Sequence, residues 1–287
     1  MPIRLLALDI DGTLLNSRGQ LTERNVLAVA EAREQGVRVA VVTGRRFRDA
    51  RPIALELGLD VPLIAHNGAL TRHARTLETI ALFPLPLTAA LRALHVGRAA
   101  GADVLLSDDQ QGLGMLVYDS LTGNNPALLK YLAWARRIHG DEGAVHETSS
   151  LESYLDHDPV HLTFSGQCAP MNELNKKLQQ ELGTTAKVFS TLYPKMDFAL
   201  VDVIHPDASK GAGVAAAAGE LGVSKDEVMA IGDNLNDLEM LRYAGTGVVM
   251  GNGEASLLEA EGLHTTATND EDGVALAIEK FILNTRV

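Results

Sequence analysis

The chain of 287 residues is 46% hydrophobic, carries a formal net charge of -12 and contains a single cysteine. That length accommodates two domains or one large one, and the acidic balance argues against nucleic acid and anionic membrane surfaces as partners. An intrachain disulfide is excluded, no apolar run reaches transmembrane length, and no leader is expected ahead of Met1-Pro2-Ile3-Arg4, so the expectation is a soluble cytoplasmic protein.

Leu5-Leu6-Ala7-Leu8 is a continuous apolar run, the pattern of a strand buried on both faces. It leads into Asp9-Ile10-Asp11-Gly12-Thr13. Two carboxylates one residue apart at the end of a buried strand repel each other, and desolvation penalises both. A bound cation would relieve that strain. The stretch reads either as a metal or phosphate site or as a plain Asp-Gly turn. Thr22 is placed to cap a helix running to about residue 35, with Gly36 just past its end. Residues 37–42 predict a second buried strand, ending in Thr43-Gly44-Arg45. A helical stretch follows to about residue 57, which Pro52 should start or kink. Pro62-Leu63-Ile64-Ala65 predicts a third strand, ending at His66-Asn67-Gly68. Strand and helix in alternation imply right-handed crossovers and a parallel sheet.

The rhythm changes near Pro84. Residues 103–107 and 113–118 predict one strand pair, and 186–190 with 197–203 another. Helices are predicted over 88–100, 125–139 and 170–182, the last with Met171, Leu174, Leu178 and Leu182 on one face. This is the pattern of an inserted α+β module with antiparallel pairing. Cys168 within it reads as a small packed hydrophobe rather than a nucleophile. Regular alternation returns at Ser209-Lys210-Gly211, which opens a helix to about residue 221. Ser224 and Glu227 have capping-box spacing. A strand over 228–231 ends at Gly232-Asp233-Asn234-Leu235-Asn236-Asp237. A helix, a strand over 247–250 and a helix over about 273–283 complete the chain. The fold class is therefore α/β: a doubly wound, Rossmann-like parallel-sheet core (1–83 and 206–287) with an inserted α+β second domain (84–205).

Four polar clusters fall where predicted parallel strands end or a helix begins: Asp9/Asp11, Thr43-Gly44-Arg45, Lys210, and Asp233/Asn236/Asp237. Sites in open α/β sheets form beyond the carboxyl ends of the strands, so these clusters can converge. Each alone has a bland reading: Thr43 as a strand-end turn, Lys210 as a solvated first-turn lysine, Gly232-Asp233 as an ordinary loop. Together they offer a carboxylate nucleophile, a second carboxylate for proton transfer, a hydroxyl, a fixed cation and further acidic ligands. That inventory suits Mg²⁺-assisted phosphoryl transfer, which needs positioning and charge neutralisation above all.

These four stretches, in this order, resemble the four motifs of the haloacid dehalogenase superfamily, with no departure at a motif position. The sequence from Gly232 to Asp237, followed by Met240-Leu241, is similar to the Cof-type branch, as is Asn67-Gly68; in that branch a large type IIB cap lies between the second and third motifs. The resemblance implies that Asp9 attacks phosphorus to form an aspartyl-phosphate. It implies that Asp11 protonates the leaving oxygen and then activates water, its backbone carbonyl binding Mg²⁺. Thr43, the Gly44 amide and Asn236 would hold phosphoryl oxygens, and Lys210 would neutralise the pentavalent charge. Asp233 would bind the metal directly; Asp237 would support it through water or orient Lys210. Arg45 and Asn67 are candidate substrate contacts. The expected activity is hydrolysis of small phosphate monoesters, sugar phosphates in particular. Two alternatives stay open: a phosphomutase on the same scaffold, and a non-enzymatic aspartyl phospho-acceptor switch. Chain length, the inserted module and the second acid stand against the switch. Within the cap, His161, Tyr193, Lys195 and Asp197 are as readily structural as substrate-facing.

Overall fold

The apolar run near the start of the chain forms strand β1 (Leu5–Asp9), buried along its whole length. The computed structural model describes residues 2–59, 61–108, 112–139 and 144–283. It divides the chain into two compact units, Met1–Leu82 with Ser209–Val287, and Phe83–Ala208. In the first unit, α1 (Glu23–Glu34) starts at Thr22, whose hydroxyl accepts from the Asn25 N–H. Next come β2 (Arg38–Val42), α2 (Phe47–Glu56) and β3 (Pro62–Ala65). Pro52 does not start α2 but lies inside it. Proline has no N–H for the carbonyl four residues back, but Phe47, Ala50 and Ala54 are buried along the helix and hold the turns on either side. After a 3₁₀ turn at His66–Gly68 come β4 (Leu70–His73) and β5 (Thr79–Leu82), a hairpin that no apolar run announces.

The second unit contains α3 (Leu87–Ala99), β6 (Asp103–Asp108), β7 (Met115–Tyr118), α4 (Pro126–His139) and β8 (Val145–Glu147). It continues with α5 (Leu151–Tyr154), β9 (His161–Gly166), α6 (Cys168–Leu182), β10 (Lys187–Tyr193) and β11 (Phe198–Ile204). Its sheet has the order β10-β11-β9-β6-β7-β8. The two expected pairs, β6 with β7 and β10 with β11, are antiparallel. Strand β9, which the sequence reading lacks, lies between β11 and β6. Its Leu162 and Phe164 join the predicted face of α6, Met171, Leu174, Leu178 and Leu182, in one buried cluster. On β9's other face His161 is buried, with Nε2 3.0 Å from Asp202 Oδ1. Asp197, with φ 43°, accepts the Cys168 N–H at the start of α6. The half-buried Cys168 thiol donates to the Phe198 carbonyl at 3.3 Å.

The chain then returns to the first unit with α7 (Lys210–Glu220), β12 (Val228–Gly232), α8 (Leu238–Tyr243) and β13 (Thr246–Val249). The short α9 (Ala255–Leu258), β14 (His264–Thr265) and α10 (Gly273–Ile278) follow. The predicted last helix changes to a π-helical segment over Glu279–Leu283, with Ile282 buried. The sheet order is β14-β13-β12-β1-β2-β3-β4-β5. It is parallel from β14 to β3 and antiparallel at β4 and β5. The carboxyl ends of β1, β2, β3, β12 and β13 therefore share one edge, where the polar clusters lie.

Candidate active site

Asp9 is the last residue of β1, flanked by β12 and β2 in parallel register. Its neighbours leave it buried, and its charge is answered from α7. Lys210 Nζ donates to Asp9 Oδ1 at 2.7 Å and to Asp237 Oδ1 at 2.6 Å. The lysine is only 2% exposed, which sets aside the bland reading of it as a solvated first-turn lysine: two carboxylates reached from other loops hold it inside. Burial alone would lower the Lys210 pKa, but Asp237 and Asp9 more than offset that and hold it well above the ordinary value.

Asp237 is fully buried at the end of a 3₁₀ turn, Leu235–Asp237. Its Oδ2 accepts the N–H groups of Asp233 and Asn234, at 3.0 and 2.9 Å. One carboxylate thus caps the turn that presents Asp233 and also orients Lys210. Asp233 is fixed from the first motif, since the buried Thr13 hydroxyl donates to its Oδ1 at 2.9 Å. Gly12, at φ +82°, lies so close that a Cβ there would fall 2.3 Å from Asp233 Oδ2. The turn after Asp11 needs glycine for its backbone conformation and for room beside Asp233.

Asp9, Asp233 and Asp237 each offer a carboxylate oxygen, and these lie within 4.8 Å of one another. Three carboxylates around one ammonium leave the pocket with excess negative charge. Burial pushes Asp9 well above its ordinary value; Lys210 pulls it back and Asp237 and Asp233 push it further up. Asp233 is pushed up to about 6 by burial and by Asp237, against the Thr13 hydrogen bond. Hard oxygen ligands carrying surplus charge fit Mg²⁺, which takes one or two carboxylates together with water and phosphate oxygens. The Asp11 carboxylate is not in this group. It is 59% exposed and forms a bidentate pair with Arg45, Nε to Oδ2 at 2.8 Å and Nη2 to Oδ1 at 2.6 Å. Residues two apart on an extended segment share a side, but Ile10 and Asp11 lie beyond the end of β1, and the guanidinium takes the second acid. Arg45, a candidate substrate contact, is thereby engaged by Asp11.

Thr43 follows β2 and is buried; its hydroxyl accepts the Arg45 N–H at 3.1 Å. Its carbonyl accepts the Asn67 N–H at 3.0 Å. The buried Asn67 stands over Gly44, where a Cβ would meet Asn67 Oδ1 at 3.0 Å. Asn236 Nδ2 donates to that same Oδ1 at 2.9 Å. Asn67, a candidate substrate contact, therefore also links the Thr43 and Asn236 loops. Two residues that the sequence reading passed over belong here. Thr13 stands inside the quoted pentapeptide, so its signal was present. Asn252 lies just past β13, also at a parallel strand's carboxyl end, and donates from Nδ2 to the Gly12 carbonyl at 2.8 Å.

A family model described as haloacid dehalogenase-like hydrolase matches residues 6–278. The HMP-PP phosphatase of Cronobacter sakazakii is 32% identical over 257 residues, 89% of this chain and 86% of that one. The pyridoxal phosphate phosphatase YbhA of Escherichia coli is 28% identical, covering 99% of this chain and 100% of its own. A solved haloacid dehalogenase-like hydrolase from Bacteroides thetaiotaomicron superposes with a TM-score of 0.79 at 26% identity, over 97% of this chain and 99% of that one.

Proposed function

This chain belongs to the haloacid dehalogenase-like hydrolases and is a phosphatase of their Cof type, and from that premise we propose that it is a Mg²⁺-dependent phosphatase of small phosphate monoesters, sugar phosphates in particular, working through an aspartyl-phosphate on Asp9. The observation that carries the reading is Asp9 at a buried strand end, bonded to Lys210 and grouped with Asp233 and Asp237. In this scheme an Asp9 oxygen attacks phosphorus and the bond from phosphorus to the ester oxygen breaks. Asp11 gives the leaving oxygen its proton, then takes one from the water that releases phosphate and frees Asp9. Because Arg45 holds Asp11 as a bidentate carboxylate partner, Asp11 leaves that pair and takes up a proton from solvent before it donates. Lys210 faces the charge that builds on phosphorus, and donors aimed at developing charge contribute most of the stabilisation. Thr43, the Gly44 amide and Asn236 are the phosphoryl-holding groups. Asp9, Asp233 and the Asp11 carbonyl would hold Mg²⁺, with Asp237 in support. When bound, the ion supplies charge neutralisation to the phosphoryl group.

Relatives named for HMP-PP and for pyridoxal phosphate share the phosphoryl group and differ in what carries it. That favours a specificity determinant outside the four motifs, and we assign it to the unit Phe83–Ala208. No described helix is long and apolar enough to cross a membrane, which together with the lone cysteine favours a cytoplasmic enzyme. The test is phosphate release over a panel of phosphorylated metabolites with and without Mg²⁺, followed by acid quench with a ³²P-labelled substrate. The expected result is metal-dependent release and a protein-bound, hydroxylamine-labile label that Asp9→Asn lacks. Release without label would remove the covalent step, and no release from any ester would remove the activity.

A further inference from the structure

We propose that Asn252 is a positioning residue of the catalytic centre, holding the Gly12 carbonyl and thereby fixing the peptide that carries Asp11 and Thr13 against the loop of Asp233. The inference rests on the metal-dependent reading above and adds a residue outside the four motifs. Asn252 is exposed, yet both ends of its amide are committed: Nδ2 donates to the Gly12 carbonyl, 240 residues away in sequence, at 2.8 Å, and Oδ1 accepts the Asn269 N–H at 2.8 Å. The second bond sets the orientation of the first.

The turn around Asn252 also grips the fourth motif. The Met250 N–H donates to the Gly232 carbonyl at 3.0 Å, and the Glu254 N–H to the Asp233 carbonyl at 2.9 Å. One short segment therefore touches the backbone on both sides of the acidic group, at the ends of β1 and β12. The Thr13 hydroxyl, one residue from the held carbonyl, closes the loop by donating to Asp233. The segment after β1 has other fasteners. Asn269 Nδ2 donates to the Leu15 carbonyl, and the Ser17 N–H donates to Asp270 Oδ1, both at 2.8 Å. These act farther along and set the course of the loop. Asn252 acts on the peptide next to Asp11. Mg²⁺ demands near-ideal octahedral geometry, so a small shift of that peptide matters more to metal binding than to folding. Residues that orient metal ligands typically change affinity by about 10- to 100-fold when removed.

The test measures Mn²⁺ binding to the substrate-free protein by electron paramagnetic resonance, alongside thermal melting. The proteins are wild type, Asn252→Ala and Asp270→Ala, the last loosening the same loop without touching Gly12. The expected result is about tenfold or greater weakening of Mn²⁺ binding in Asn252→Ala, with Asp270→Ala near wild type and both variants melting cooperatively. Unchanged affinity in Asn252→Ala, or equal weakening in Asp270→Ala, overturns the positioning role and reduces Asn252 to a loop fastener. A wild-type protein that binds no Mn²⁺ overturns the metal-dependent reading itself and the inference with it.

Discussion

The two acids of the opening motif are chemically alike and stand in opposite surroundings. Asp9 is buried against Lys210; Asp11 is exposed and paired with Arg45. Their substitutions should therefore differ in kind. Asp9→Asn should abolish turnover of every ester, because no covalent intermediate forms. Asp11→Asn should lose about 10²–10⁴-fold with a sugar phosphate, the usual worth of general acid catalysis, and far less with p-nitrophenyl phosphate, whose leaving group needs no proton. Rapid mixing should then show a burst of nitrophenol; equal losses on both esters with no burst would remove Asp11 from proton transfer. Lys210→Ala should cut turnover by at least ~10²-fold. Because it leaves two buried carboxylates unanswered, it should also destabilise the fold by about 3–5 kcal/mol. Urea titration checks this, and a native midpoint would contradict the burial argument. Asp233 has a pH signature. Its folded pKa, about 6, lies above the ordinary 3.8, so its contribution favours folding below about pH 4 and is lost as pH rises through 6. In EDTA, Asp233→Asn should melt higher than wild type at pH 7.5 and lose that advantage near pH 4. Mg²⁺ should raise the melting temperature of wild type alone; the opposite order at pH 7.5 would show that Asp233 is not under like-charge strain.

At the scale of elements, the site depends on how the turn after β3 meets the start of α7. Gly68 has φ +89°, and a Cβ there would fall 1.8 Å from the Ser209 carbonyl oxygen. Ser209 caps α7 through its hydroxyl, which accepts the Ala212 N–H, and Lys210 is the helix's first residue. Gly36, at φ +86°, has nothing within 4 Å of such a Cβ. Gly36→Ala should thus show only the left-handed backbone penalty, about 1–2 kcal/mol. Gly68→Ala should lose clearly more stability, and activity as well, since the clash pushes on the element that carries Lys210. Paired urea unfolding curves and steady-state rates test this; equal midpoints would mean that the turn shifts freely.

At the scale of the molecule, the chain leaves the first unit after β5 and re-enters it at α7, and β5 packs against α7. Both ends of the insertion thus belong to neighbouring elements. The second unit has its own buried cluster built on α3, α6 and the sheet. Replacing residues 83–208 by a short linker should leave a folded protein that hydrolyses p-nitrophenyl phosphate and no longer ranks sugar phosphates. Circular dichroism and a substrate panel decide it. A folded product that keeps the wild-type ranking would place specificity in the first unit.

How much of this was legible beforehand follows from what a local pattern encodes. Apolar runs such as Leu5-Leu6-Ala7-Leu8 have one use in a chain of this kind, a strand buried on both faces. The polar residues where those runs stop must then gather at one edge of a parallel sheet. Hence the strands β1, β2, β3 and β12, and the clusters at Asp9, Thr43 and Asp233, could be read in order from the sequence. Shorter strands could not. β9 alternates cleanly, but only Leu162 and Phe164 carry the apolar half, and His161 finds its place through Asp202 on a neighbouring strand. The β4–β5 hairpin likewise takes its identity from the strand it pairs with. Partner choice among the charged groups was decided only by the tertiary structure. Lys210 is buried because Asp9 and Asp237 meet it from 201 and 27 residues away. Asp11 stays outside the acidic group because Arg45 reaches it first. Asn252 matters because β13 delivers it to Gly12. A sequence fixes which residues must leave water. Which charges then neutralise one another depends on loops that meet only when the sheet has assembled.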